Sequence, residues 1–211
     1  MSAAVSVPAA RAASVENVVP RSQRGPAPTR IVVAYGFWLF LLSDIILFAA
    51  FFAAYAVLAS HTAGGPTGPQ LFDRDHVLIE TACLLTSSFT CGMLGLASER
   101  RNAAFVYLFG VATLALGAAF VALEVTELSH LIASGAGPQR SAFLSAFFAL
   151  VGLHGLHVAI GLAWLLGMMA QVATMGPSTM VIGRLRCFAL FWHALDIVWI
   201  GVFTIVYLGA R

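Results

Sequence analysis

Charge is what this 211-residue chain has least of: 9% of its residues are Asp, Glu, Lys or Arg, against 60% hydrophobic ones. A soluble domain of this size carries about a quarter charged residues, so the composition excludes one and leaves a membrane protein. Lysine is missing altogether. All eleven basic residues are Arg, spread along the chain around a net charge of +2, which provides no basic surface for nucleic acid. Cysteine is scarce too, with Cys83, Cys91 and Cys187 each inside an apolar run. Cys83 and Cys91 stand about 12 Å apart on a helix rising about 1.5 Å per residue. That is beyond disulfide reach, and free core thiols are expected.

The first thirty residues, rich in Ala, Val, Ser and Pro, lack both the continuous apolar core and the cleavage site of a signal peptide. Residues 1–30 therefore read as a disordered cytoplasmic tail, and 31–211 as a single transmembrane domain. No internal repeat and no second domain are visible.

What is present is an all-α pattern of five apolar runs, at about 31–59, 77–98, 104–133, 141–174 and 183–209. Each is long enough to cross a hydrocarbon core of about 30 Å. Turn-forming residues separate them: AGGPTGP at 63–69, ERRN at 99–102, SGAGP at 134–138 and GPS at 176–178. Short connections predict that successive helices are antiparallel neighbours. Eight Arg (11, 21, 24, 30, 100, 101, 184, 186) fall on one side and three (74, 140, 211) on the other. By the positive-inside rule the N-terminus is cytoplasmic and the C-terminus periplasmic. Trp38 and Trp192 fall within reach of the inner interface, a partial aromatic belt.

Polar residues inside these spans are few and must face other helices, because an unpaired polar group in hydrocarbon costs several kcal/mol. Asp44, His154, His157, His193 and Asp196 all fall near the midplane. His154 and His157 share a face of the fourth span at i and i+3, as do His193 and Asp196 on the fifth. His193 is expected within hydrogen-bonding reach of Asp44. Glu80, Glu124 and Glu127 form a second, outer cluster near His76 and His130. Three roles stay open for the midplane set: hydrogen-bonded glue between helices, proton exchange at Asp44, and ligation of a metal or haem by the histidines. Gly and Ala positions on the second, third and fourth spans favour close helix packing.

Four stretches carry a resemblance: YGFWLFLLSDIILF at 35–48, TAGGPTG at 62–68, FLSAFFALVGLHGLHV at 143–158 and FWHALDIVWIGVFTIVYL at 191–208. Together they resemble subunit III of the haem-copper respiratory oxidases. The five-span form and the TAGGPTG loop are most similar to the subunit III of cytochrome bo-type ubiquinol oxidases. The resemblance implies a non-catalytic subunit of a proton-pumping complex that oxidises ubiquinol and reduces oxygen. It implies haems and copper on partner subunit I rather than on this chain, no catalytic and no metal-ligating residue here, and bound phospholipid. Subunit I as direct partner, subunits II and IV in the complex, and a place in the bacterial inner membrane follow from the same likeness. The family's reactive membrane carboxylate, a Glu after Ser, is matched by Asp44 after Ser43, one methylene shorter. Two rival readings are a small proton-coupled transporter and a bis-histidine b-type cytochrome.

Overall fold

The computed structural model of the chain describes residues 29–64 and 74–209. The expected tail up to residue 28, most of the 63–69 turn, the side chain of Arg74, and Arg211 lie outside those residues. Five helices follow one another: α1 (Thr29–Leu58), α2 (Arg74–Glu99), α3 (Ala103–Ala133), α4 (Ala142–Met175) and α5 (Thr179–Val202), the last continuing as a π-helical end, Phe203–Leu208. All five are long and apolar enough to span a membrane.

Local chemistry sets the helix ends. Asn102, Ser141 and Ser178 cap α3, α4 and α5, each side-chain oxygen accepting from the backbone N–H three residues on. Gly176 closes α4 at a φ of 65°, a left-handed conformation that glycine adopts at little steric cost. Two helices start earlier than hydropathy suggests. α2 begins at Arg74, since a polar first turn with Asp75 complements the helix dipole, and α5 begins directly after its Ser178 cap.

The core lies between α2, α3, α4 and α5, and two tryptophans of α5 hold its centre. The Trp192 ring fills the space left by Gly117 of α3 and Gly161 of α4, where an added Cβ would stand 2.9 Å from indole carbons. Its Nε1 donates to Ser87 Oγ on α2 at 2.9 Å. One heptad on, Trp199 Nε1 donates to Thr81 Oγ1 at 3.1 Å. Thr81 in turn donates to the Val77 carbonyl of its own helix, so every polar atom of that contact is used. Trp192 is thus a core anchor and not an interfacial residue, because a serine on the facing helix satisfies its N–H in the interior.

The expectation of successive antiparallel neighbours holds for α2 with α3, α3 with α4 and α4 with α5 but fails for α1, which packs on α4 and more lightly on α5. α1 touches the bundle through a narrow seam. Leu41, Phe48 and Tyr55, seven residues apart, are buried, while Phe37, Asp44, Phe51 and Leu58 between them are half-buried, the a/d spacing of a coiled-coil contact. One end of the bundle gathers Arg residues: Arg186 pairs with Glu99 at 3.2 Å, Arg101 donates to Thr179 and Arg184 to Gln171.

Candidate functional site

The intramembrane polar residues sort into three groups. The first joins α2 and α5. His193 Nδ1 and Ser88 Oγ stand 2.7 Å apart, and the Asp196 carboxylate lies beside Ser88. A hydroxyl has a single proton, so an Nδ1–H of His193 donating to Ser88 leaves the Ser88 proton free to turn towards Asp196. The i, i+3 spacing of His193 and Asp196 presents both to one serine. The hydrogen bond expected between His193 and Asp44 is therefore not made: the His193 ring turns to α2, away from α1.

Asp44 instead has His157 as its ionisable neighbour. It lies in a shallow groove between α1 and α5 lined by Leu41, Phe48, Phe191, Leu195 and Val198. His157 Nδ1 lies 2.8 Å from the Leu153 carbonyl on its own helix, which fixes the proton on Nδ1 and leaves Nε2 as the acceptor of the neutral ring.

His154 differs from the other midplane histidines. It is completely buried, with Trp199, Phe120 and Phe48 around it at ring-centre distances of 5.2, 5.7 and 6.3 Å. Neither ring nitrogen has a hydrogen-bond partner among the described residues. A haem plane needs open space beside its ligand nitrogen, and three aromatic rings fill that space. The imidazole serves here as an aromatic packing element, T-shaped against Phe120. The idea that every midplane polar group finds a polar partner on another helix does not extend to it.

The third group sits near the start of α2 and the end of α5. His76 Nδ1 lies 3.4 Å from Glu80 Oε1, and the Glu80 side chain is fully buried. Tyr207 donates to Glu127 Oε2 at 3.1 Å, and Glu80, Glu124 and Glu127 are within electrostatic reach of one another. The expected cluster of three glutamates is thus assembled from α2 and α3. It does not stand apart from the middle of the bundle. The Glu124 carboxyl occupies the gap left by Gly155, where an added Cβ would meet its oxygens at 2.6 and 2.7 Å. Gly155 follows His154, and Thr81, the anchor of Trp199, follows Glu80.

Ser87, Ser88, Thr81 and Tyr207 complete these groups and were not singled out from the sequence; Gly155, one of the small positions expected to favour packing on the fourth span, seats the Glu124 carboxyl. The signal was available as two indoles one heptad apart on α5, Trp192 and Trp199, facing hydroxyls at a similar spacing on α2, Ser87 and Thr81.

Comparison with known proteins fits this geometry. The cytochrome c oxidase subunit III family matches residues 23–210. The chain belongs to that family. "Cytochrome bo(3) ubiquinol oxidase subunit 3" of Pseudomonas aeruginosa is 55% identical over 176 residues, 82% of this chain and 83% of the relative. "Quinol oxidase subunit 3" of Bacillus subtilis is 43% identical, covering 82% and 85%. "Cytochrome c oxidase subunit 3" of Alkalihalophilus pseudofirmus is 40% identical, covering 82% and 84%. As a subunit III the chain is a non-catalytic member of a respiratory oxidase, and the transporter and b-type cytochrome readings are not favoured. The cysteines Cys83, Cys91 and Cys187 are free.

Proposed function

We propose that the chain is subunit III of a proton-pumping terminal oxidase that takes electrons from ubiquinol and reduces oxygen to water. The observation that carries this is the pair of Pseudomonas relatives named for ubiquinol, at 55% and 52% identity over most of the chain. In this reading the haems and copper reside on subunit I, against which this chain packs, with subunits II and IV completing the complex. The outward faces of α1, including Trp38 at 61% exposed, meet subunit I or phospholipid. Asp44, His157, His193 and Asp196 hold the helices in register and sustain proton uptake by the complex without contacting a redox centre. The Arg-rich end of the bundle faces the cytoplasm of a bacterial inner membrane, by the same arginine bias that sets the orientation of short loops.

The test is affinity purification of the tagged chain from detergent-solubilised membranes. A haem-bearing partner and oxygen uptake driven by ubiquinol, not by reduced cytochrome c, are the expected result. Recovery without a haem protein, or activity with cytochrome c alone, overturns the reading.

A further inference from the structure

The group at the start of α2 has a chemistry that helix packing does not account for. His76, Glu80 and Glu127 each place one ligand-type atom within 4.8 Å of the others. Neither oxygen of the fully buried Glu80 has a hydrogen-bond partner among the described residues. Glu124, a fourth group outside that set, is 2% exposed. It faces Glu80 and Glu127, and neither of its own oxygens has a side-chain partner among the described residues. Three carboxylates in so small and dry a volume repel one another, and a single imidazolium offsets one of them. A divalent cation offsets two at once and takes up the lone pairs that no donor reaches.

We propose that His76, Glu80 and Glu127 bind one divalent transition-metal ion, zinc being the best match. Glu124 supplies the buried negative charge behind it. One imidazole nitrogen with carboxylate oxygens is a donor set for zinc and not for calcium or magnesium, which take oxygen alone. Zinc ligands at about 2.0–2.2 Å from the metal stand about 3.5 Å from one another, so the three side chains close on the ion by small rotations. His76, in the first turn of α2 with its side chain 30% exposed, gives the ion a way in from the membrane surface. Tyr207 holds Glu127 from the far side by its hydrogen bond. This departs from the expectation that no histidine of the chain ligates a metal.

The test is equilibrium dialysis of the purified full chain in detergent against zinc chloride after chelator treatment, with bound zinc measured per chain. The wild-type chain is expected to bind one zinc that His76→Asn and Glu80→Gln weaken at least about tenfold, a loss no smaller than that from removing a supporting residue around a metal. His76→Asn changes a partly exposed side chain, so it reports on binding even where Glu80→Gln lowers the yield of folded chain. Glu99→Gln, at the opposite end of the bundle, is expected to leave zinc binding unchanged. A wild-type chain that binds no zinc, or one whose zinc is retained equally by both variants, overturns the proposal.

Discussion

α1 and α2 are both membrane spans, yet the bundle uses them in opposite ways. α1 is among the most apolar of the five and α2 the least, but 11% of the apolar window of α1 is buried against 44% of that of α2. In lipid an apolar side chain gains nothing by turning inwards, so hydropathy reports that a segment spans and not what it touches. Contact is reported by hydroxyls, glycines and indoles. α2 offers Thr81, Ser87 and Ser88 to two indole N–H groups and an imidazole of α5. α1 offers a seam of aromatic and aliphatic residues interrupted by Asp44.

Removing an anchor from the packed half should have the largest effect. Trp199→Ala takes away a fully buried ring and its bond to Thr81 and is expected to cost about 3–5 kcal/mol. Trp38→Ala on α1 should stay within about 0.5 kcal/mol. Thermal unfolding of the purified chain in detergent measures both, and equal losses would break the contrast. Next comes Gly155→Ala, whose methyl would meet the Glu124 carboxyl; overpacking of this kind costs about 1–3 kcal/mol. Gly152→Ala, one turn away with nothing within 4 Å, should instead stabilise the helix slightly, by up to about 1 kcal/mol. Were the two alanines equivalent, Glu124 would not be seated where the structure places it.

Ser88→Ala follows, with an expected loss of about 0.6–1.7 kcal/mol, the range for hydrogen bonds between membrane helices. Thr86→Ala should cost less, because Thr86 bonds only to the Ala82 carbonyl of its own helix. A Ser88→Ala chain as stable as wild type would remove the link between His193 and Asp196 from the account. The smallest effect is expected at Asp44, on the lightly held helix. Asp44→Asn should leave initial oxygen uptake by the assembled oxidase unchanged and shorten sustained turnover; abolished uptake in a fully assembled complex would give Asp44 a catalytic role.

The five helices were legible because length and hydropathy are properties of a segment alone. Their neighbours were not. Short loops bring α2, α3, α4 and α5 together in order, but the connection at 59–73 is long enough to let α1 lie on α4, which no local signal announces. The same limit applies to the site. Depth along each span correctly gathered Glu80, Glu124 and Glu127, since all three approach one end of the bundle. Depth does not fix azimuth, so it set His193 beside Asp44 when the ring in fact points at Ser88. His154 was mistaken for a group in need of polar company because its type, and not its aromatic neighbours, was on view.

The π-helical end of α5 sets how that helix tolerates a change of length. A π turn takes one residue more than an α turn, so Phe203–Leu208 behaves as if a single residue had been inserted there. Deleting Thr204 would let the segment relax to an ordinary α-helix while leaving Tyr207 near its present azimuth, because the wide turn has already absorbed the extra residue. The phenol would then stay with Glu127. A one-codon deletion here should be harmless to the helix and to the carboxylate it tethers, whereas the same deletion in the regular part of α5 would turn every later side chain by about a quarter turn, at 3.6 residues per turn.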